Sequence, residues 1–391
     1  MHFPSFRLFL FAAVSVQNAS SAGFFIPNQD AEATARGNAF VATADRASAV
    51  YYNPEGLTQF DQFTAQAGVY AISLGNDFTS PTGASFDTES SIQAVPHLYF
   101  AAPVADNLVL GAGLNVPFGL STDWGNDPAN PLRFAATESE FSYLSGYLVA
   151  GYKINDSLSI GAGLTLNRAD TELSRFDPLS GGILTLEGDA VTLGGLFGIH
   201  YRPNQQHSFG ATFRTGSSFT FEGSATLEAL SFRGDAEVDF DIPATAAFGY
   251  AFRPNDRLTI ELNIEWVGWD ALDSYDVTIN GGPGGTLNFE WESTLIYEIG
   301  ATYRLTESLS LHAGYDFNEG AQPDEFFNPA VADADRHWIN FGLSQDLGDL
   351  SWALGYSFGW SDHTVNDSVI NTNGEFSARH HALTSSLSYR F

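Results

Sequence analysis

The sequence predicts an all-β protein, a transmembrane antiparallel β-barrel of about fourteen strands with a small N-terminal helical hatch plugging its lumen. Three observations carry this expectation. Segments of about ten residues alternate large apolar with small or polar side chains; in one, Trp352, Leu354, Tyr356, Phe358 and Trp360 are separated by Ala353, Gly355, Ser357 and Gly359. A period of two makes a strand with two unlike faces, and ten residues suffice for a tilted strand to cross a bilayer's hydrocarbon. Matching turns recur between these segments. The chain then ends on Leu383, Leu387, Tyr389 and Phe391, an alternating apolar face closing on a terminal aromatic.

Residues 1–21 read as a signal peptide. Arg7 is basic, Leu8 to Val16 form a short apolar run, and Ala19, Ser20 and Ser21 offer a small-residue cleavage site. The mature chain then begins at Ala22 or Gly23, outside the cytoplasm. Residues 22–59 do not alternate. They are rich in Ala and short polar residues, with room for short helices at 30–35 and 45–50 and a break at Asn53-Pro54. Fourteen strands enclose a lumen wide enough to conduct unless something fills it, so this segment is expected to be a hatch.

Residues 60–391 form the expected barrel, with strands starting near 63, 92, 108, 139, 157, 189, 207, 234, 258, 287, 308, 336, 350 and 376. An even count closes an antiparallel sheet without a free edge, as a bilayer requires. The strands near 92 and 234 alternate poorly. Tyr152-Lys153, Tyr201-Arg202, Phe252-Arg253 and Tyr303-Arg304 each run aromatic, basic, any residue, polar turn; they start 49, 51 and 51 residues apart. That spacing fits two strands plus one long loop. Short turns then lie at the periplasmic side, and longer loops around 121–135, 177–188, 281–286 and 320–335 lie outside. Pro117 interrupts the alternating run Leu108 to Val116; without an N–H it marks a bulge or a break in pairing, and Gly111, Gly113 and Gly119 let the backbone bend there.

Composition excludes several functions. The net charge of −30, from 46 acidic and 16 basic residues, repels a phosphodiester backbone. Cysteine is absent, which removes disulfides, thiolate metal sites and thiol catalysis. No nucleophile stands at a recognisable spacing from a base and an orienting group. His380 and His381 are neighbours on a strand and point to opposite faces. The expectation is no enzyme, no cofactor and no metal.

Ala22-Gly23-Phe24, Ala35-Arg36-Gly37-Asn38-Ala39, Asp45-Arg46-Ala47-Ser48-Ala49, Tyr52-Asn53-Pro54-Glu55-Gly56-Leu57, Val116 to Trp124, Asp335-Arg336-His337-Trp338 and the terminal Phe391 resemble the FadL-type outer-membrane transporters. The likeness covers the whole mature chain. It implies passive uptake of hydrophobic compounds, above all long-chain fatty acids, with neutral aromatic or aliphatic hydrocarbons as the alternative. A general diffusion porin is the weaker rival, since it needs no hatch. The implied ligand contacts are Phe24, Leu173, Arg175 and Asp335, the last a carboxylate with which Arg175 could pair instead. The family's second cation falls near Glu292 or Ser293, and the chain's only lysine, Lys153, belongs to a turn. The implied lateral gate is a kinked strand at Gly113, Pro117, Phe118 and Gly119, met by the hatch turn at Asn53 and Pro54. The usual Asn-Pro-Ala of that turn is Asn53-Pro54-Glu55 here, with an added charge. Implied partners are a hydrophobic small molecule, outer-membrane lipid and, through the C-terminal strand, the barrel-assembly machinery, with the chain a monomer.

Overall fold

A computed structural model describes residues 23–391, and the expected signal segment lies outside them. Fourteen antiparallel strands run in chain order around a closed barrel. They are β1 (64–79), β2 (85–105), β3 (Leu108–Asp123), β4 (Glu138–Asn155), β5 (Leu158–Asp177), β6 (Gly182–Tyr201) and β7 (207–227). The circuit continues with β8 (232–255), β9 (258–279), β10 (282–304), β11 (Leu309–Asn318), β12 (Arg336–Leu347), β13 (Leu350–Val365) and β14 (Gly374–Arg390). Pairing of β1 with β14, from Thr64↔Arg390 to Ser73↔His381, closes the barrel.

The two faces of the strands have the expected surroundings. Leu354 and Tyr356 on β13 point outward and stay exposed, as do Leu148, Leu164, Leu193, Phe248 and Leu383 on other strands. A lipid-facing wall needs such side chains, because hydrocarbon offers polar groups nothing. The small face of β13 turns inward, but it meets protein rather than water. A Cβ on Gly355 would come within 2.9 Å of the Ala31 carbonyl oxygen, and Gly300, Gly314 and Gly342 leave similar room for Arg36, Gly37 and Ala35.

The inner occupant is residues 23–59. The segment holds two short helices, α1 (Ala31–Ala35) and α2 (Ala49–Tyr52), then a 3₁₀ turn Pro54–Gln59 that Pro54 opens. α1 starts where expected, with Asp30 as N-cap accepting the N–H groups of Glu32 at 2.8 Å and Ala33 at 2.9 Å. The expected helix at 45–50 starts later, at Ala49.

Two expected loops are strand instead. β5 and β6 continue to a tight turn at 178–181, and β9 and β10 form a hairpin across 280–281. Leu173↔Leu186 and Tyr275↔Leu287 carry the pairing beyond the lipid-facing part of the wall, and Gly181 (φ 77°) and Gly281 (φ 73°) take the left-handed turn positions. Residues 124–137 and 319–335 remain mostly irregular, as expected, with short 3₁₀ turns.

The ladder is interrupted at several strand pairs, including β8–β9 between Thr245↔Val267 and Glu237↔Thr278 and β9–β10 between Val267↔Thr294 and Ser274↔Asn288. Between β2 and β3 it stops at Leu98↔Leu114 and is restored only by Glu89 N–H on the Asp123 carbonyl at 2.9 Å. On its other edge β3 bulges against β4 between Asn115 and Phe118, where Pro117 supplies no N–H. Between β6 and β7 pairing stops at Leu196↔Arg214 and resumes at Asp189↔Glu222. There Phe219 and Phe221 are 2% and 3% exposed and pack in the inner aromatic cluster with Tyr143.

Candidate functional site

An apolar cavity of about 300 Å³ lies in the half of the barrel away from the tight turns. The β5–β6 hairpin supplies Leu173, Arg175, Leu184 and Leu186 to it, β7 and β8 supply Phe221 and Phe240, and Phe24 closes its inner end. These positions alternate along their strands, so one pleat face of each lines the space. Arg175 is its one charged lining residue, and no carboxylate lies within ion-pair distance of it among the described residues. A chain with 46 acids keeps all of them out of this cavity.

Phe24 sits in an aromatic nest, 5.2 Å from the Phe141 ring and 4.8 Å from Trp269 between centroids. Its place is fixed by backbone bonds on both sides. Gly23 N–H donates to Asp333 Oδ1 at 2.8 Å, and the Phe24 carbonyl accepts from Gly119 N–H at 2.7 Å. Gly23 has φ 66°, and a Cβ there would strike Trp269 at 2.6 Å, so glycine is required. Asp333 also accepts Ala321 N–H at 2.6 Å. Burial pushes its carboxyl above the ordinary range, against the opposing pull of Arg336. Sequence reasoning singled out Asp335 instead. That residue is exposed, accepts Gly320 N–H at 2.9 Å, and lies outside the cavity lining.

The kink is met by residues 24–26. Ile26 N–H donates to the Pro117 carbonyl at 2.8 Å, Phe25 bridges Phe118, and Gln29 Nε2 reaches the Val116 carbonyl at 2.8 Å. The segment thus supplies β3 with partners that β2 does not. Gly113 lies below the unpaired stretch, still paired to Tyr99, and a Cβ there would meet Tyr99 and Val50 rather than a gap.

Asn53 and Pro54 do not meet the kink. Asn53 Nδ2 donates to the Val41 carbonyl at 2.9 Å, and Pro54 rests on Gly151 and Gly161 of β4 and β5. The kink is occupied before the chain reaches Asn53, because residues 24–29 already cross it. Beside Asn53, Glu55 is completely buried, and neither of its oxygens has a hydrogen-bond partner. Burial raises its carboxyl well above the ordinary range.

The strongest tie between segment and wall was not foreseen. Glu261 of β9, 0% exposed, accepts Arg36 Nη2 at 2.8 Å, Ala42 N–H at 2.6 Å and Thr43 Oγ1 at 2.7 Å. The alternation of β9 placed Glu261 among its polar positions but gave no partner. No group of three potential metal ligands occurs among the described residues.

The family profile described as outer membrane protein transport protein (OMPP1/FadL/TodX) matches residues 12–391. The chain belongs to the OMPP1/FadL/TodX family. It is an outer-membrane β-barrel transporter of the family that carries hydrophobic compounds, and not an enzyme. Among its OMPP1/FadL/TodX relatives, outer membrane protein P1 of Haemophilus influenzae is 24% identical, over 87% of this chain and 88% of that one. The long-chain fatty acid transport protein of Escherichia coli is 23% identical, over 89% of both chains. A Pseudomonas aeruginosa FadL homologue superposes with a TM-score of 0.84 at 17% identity, over 95% of this chain and 100% of that one. The Pseudomonas putida toluene transporter TodX gives 0.74 at 19%, over 93% and 98%. These two solved structures share the fold.

Proposed function

We propose that this protein carries long-chain fatty acids, held with the chain among the aromatic residues of the 300 Å³ cavity and the carboxylate at Arg175. The observation that carries this reading is the cavity's charge pattern: an apolar wall, no acid, and one arginine without an ion-pair partner. A neutral hydrocarbon gains nothing from such an arginine, whereas a carboxylate gains a charge-assisted hydrogen bond of about 1.5–3 kcal/mol. The apolar wall supplies affinity by area removed from water.

Residues 23–59 act as the hatch in this reading, and the route out is lateral, between β2 and β3. Phe24 both ends the cavity and belongs to the stretch bonded to the kink, so a ligand that displaces Phe24 loosens the covering of the unpaired wall. At the β6–β7 interruption Phe221 also lines the cavity, but residues 24–29 make their backbone bonds to β3 at the kink, so the β2–β3 side is the one this reading favours. A greasy solute that leaves sideways enters hydrocarbon without full hydration.

The test is binding of oleate and of octadecane to wild type and to Arg175→Ala. Oleate affinity should fall by about one to two decades while octadecane binding stays the same. Equal oleate binding by both proteins would reject the fatty-acid reading in favour of neutral hydrocarbons.

A further inference from the structure

At the opposite end of the barrel a second cavity, of about 790 Å³, opens at the tight turns. Its lining takes six of the chain's sixteen basic residues but only five of its 46 acids. Two of the six, Arg36 and Arg46, are paired with Glu261 and Glu32. The other four, Arg202, Arg253, Arg257 and Arg304, make no ion pair among the described residues. The acids of this lining that are nearest to being available, Asp45, Asp256 and Glu307, likewise stay more than ion-pair distance from them.

The recurring turn builds this collar. Arg202 N–H donates to the Ser157 carbonyl at 2.7 Å, Arg253 N–H to Gln206 at 2.8 Å, and Arg304 N–H to Arg257 at 2.8 Å. Lys153, Asp346 and Arg390 make the same bond to Asn107, Ser308 and Asp349. Each bond ties one turn to its neighbour, so the residue after the strand-end aromatic stands at one level around the rim. Five of those six positions are basic. Before four of the basic positions the aromatics Tyr152, Tyr201, Tyr303 and Tyr389 are exposed on the outer face; the pleat then turns the following side chain inward.

Arg202 and Arg36 are close enough to repel the Arg253 charge, while Asp45 and Glu261 attract it from beyond ion-pair distance. With six bases against five acids the lining carries one net positive charge, in a chain with almost three acids per base, and its four guanidinium groups without ion pairs are donors that an anion can take up. Planar guanidinium forks match phosphate oxygens two at a time, and several of them suit a group with more than one charge.

We infer that this rim cavity is a binding site for a phosphate group, with Arg202, Arg253, Arg257 and Arg304 as its ligands. Inorganic phosphates of the periplasm and phospholipid headgroups of the inner leaflet present the same chemistry, and the rim lies within reach of both. The apolar cavity at the far end is not involved, so this inference stands apart from the fatty-acid reading.

The protein, folded into nanodiscs of pure phosphatidylcholine, is titrated with inorganic diphosphate by calorimetry, and again in discs containing one third phosphatidylglycerol. Diphosphate should bind the wild type, more weakly as salt rises, and at least tenfold more weakly to Arg253→Gln/Arg304→Gln. The variant must keep heat-modifiable gel mobility and wild-type oleate binding, and Arg253→Lys/Arg304→Lys should recover part of the affinity. Equal binding in both discs assigns the site to a free phosphate; competition by phosphatidylglycerol assigns it to a lipid headgroup. Absence of binding in phosphatidylcholine discs, or binding that survives the glutamine substitutions, overturns the inference.

Discussion

Removing the Glu261 carboxylate should undock the N-terminal segment. In Glu261→Ala, Arg36 is left as a charge that is 2% exposed without its hydrogen-bonded counterion, the more distant Glu32 being already paired with Arg46, and Ala42 N–H and Thr43 Oγ1 lose their acceptor. Breaking a buried ion pair by deleting one partner costs about 3–5 kcal/mol. At about 1.4 kcal/mol per decade, that term alone lowers the docked-to-undocked ratio by roughly two to three and a half decades. The two orphaned neutral donors add about 1–3 kcal/mol each unless water reaches them. Amide exchange across residues 36–46 should speed up by a comparable factor, and single channels in planar bilayers should show open bursts that the wild type lacks. Arg36→Met/Glu261→Met removes both charges and should recover part of the loss, because an absent pair costs far less than a broken one. Wild-type exchange rates in Glu261→Ala would show that the segment is held by shape alone, and the electrostatic account would fail.

Glu55 gives docking a pH dependence. Its carboxyl is raised in the folded state, so the folded chain binds that proton more tightly than the unfolded one. The contribution is complete below the ordinary value of 4.5 and is lost as pH climbs through the raised one. Segment protection should therefore fall toward alkaline pH in the wild type and lose that slope in Glu55→Gln; parallel profiles would refute this. Cysteines at Val95 and Val116, which share one apolar cluster across the unpaired stretch, should stop uptake but not oleate binding when crosslinked, with recovery on reduction. Uptake through a crosslinked wall would place the exit elsewhere. Deleting Phe391 removes its N–H bond to the Phe63 carbonyl and its packing on Phe63 and Tyr389, at 5.2 Å and 4.8 Å. Assembly, followed by heat-modifiable mobility, should slow more than with any other single change near the C-terminus, and a wild-type rate would contradict that reading.

The barrel was legible because lipid imposes one rule on every outward position, and a period of two survives in Trp352 to Trp360 whatever the inner face does. Where lipid stops, the rule stops. The β5–β6 and β9–β10 hairpins continue past it, and their Gly, Asp and Ser residues read equally well as loop. Interior polar positions could be identified as interior, since Glu261 and Glu265 fall on the face opposite Leu262 and Ile264, yet alternation says nothing about which of them meets Arg36. Asp333 and Asp335 show the same limit. Both lie in an irregular stretch without a period, and only the folded loop turns one toward Gly23 and the other toward solvent.

At the seam, Ala31 N–H donates to Ser386 Oγ of β14 at 3.0 Å, while the carboxylate of Asp30 accepts from Gln66 of β1. Adjacent residues of the N-terminal segment thus bond both strands that close the barrel. The Ala31–Ser386 contact spans 355 positions of sequence, so it is among the last to become possible during synthesis and carries a very long loop closure. Non-local pairings of this kind slow folding, because ordering entropy is lost before the contact compensates it. A chain truncated before β14 therefore lacks more than one staple of the wall: Ala31 N–H loses its acceptor, and residues 30–31 can no longer bond the two closing strands together.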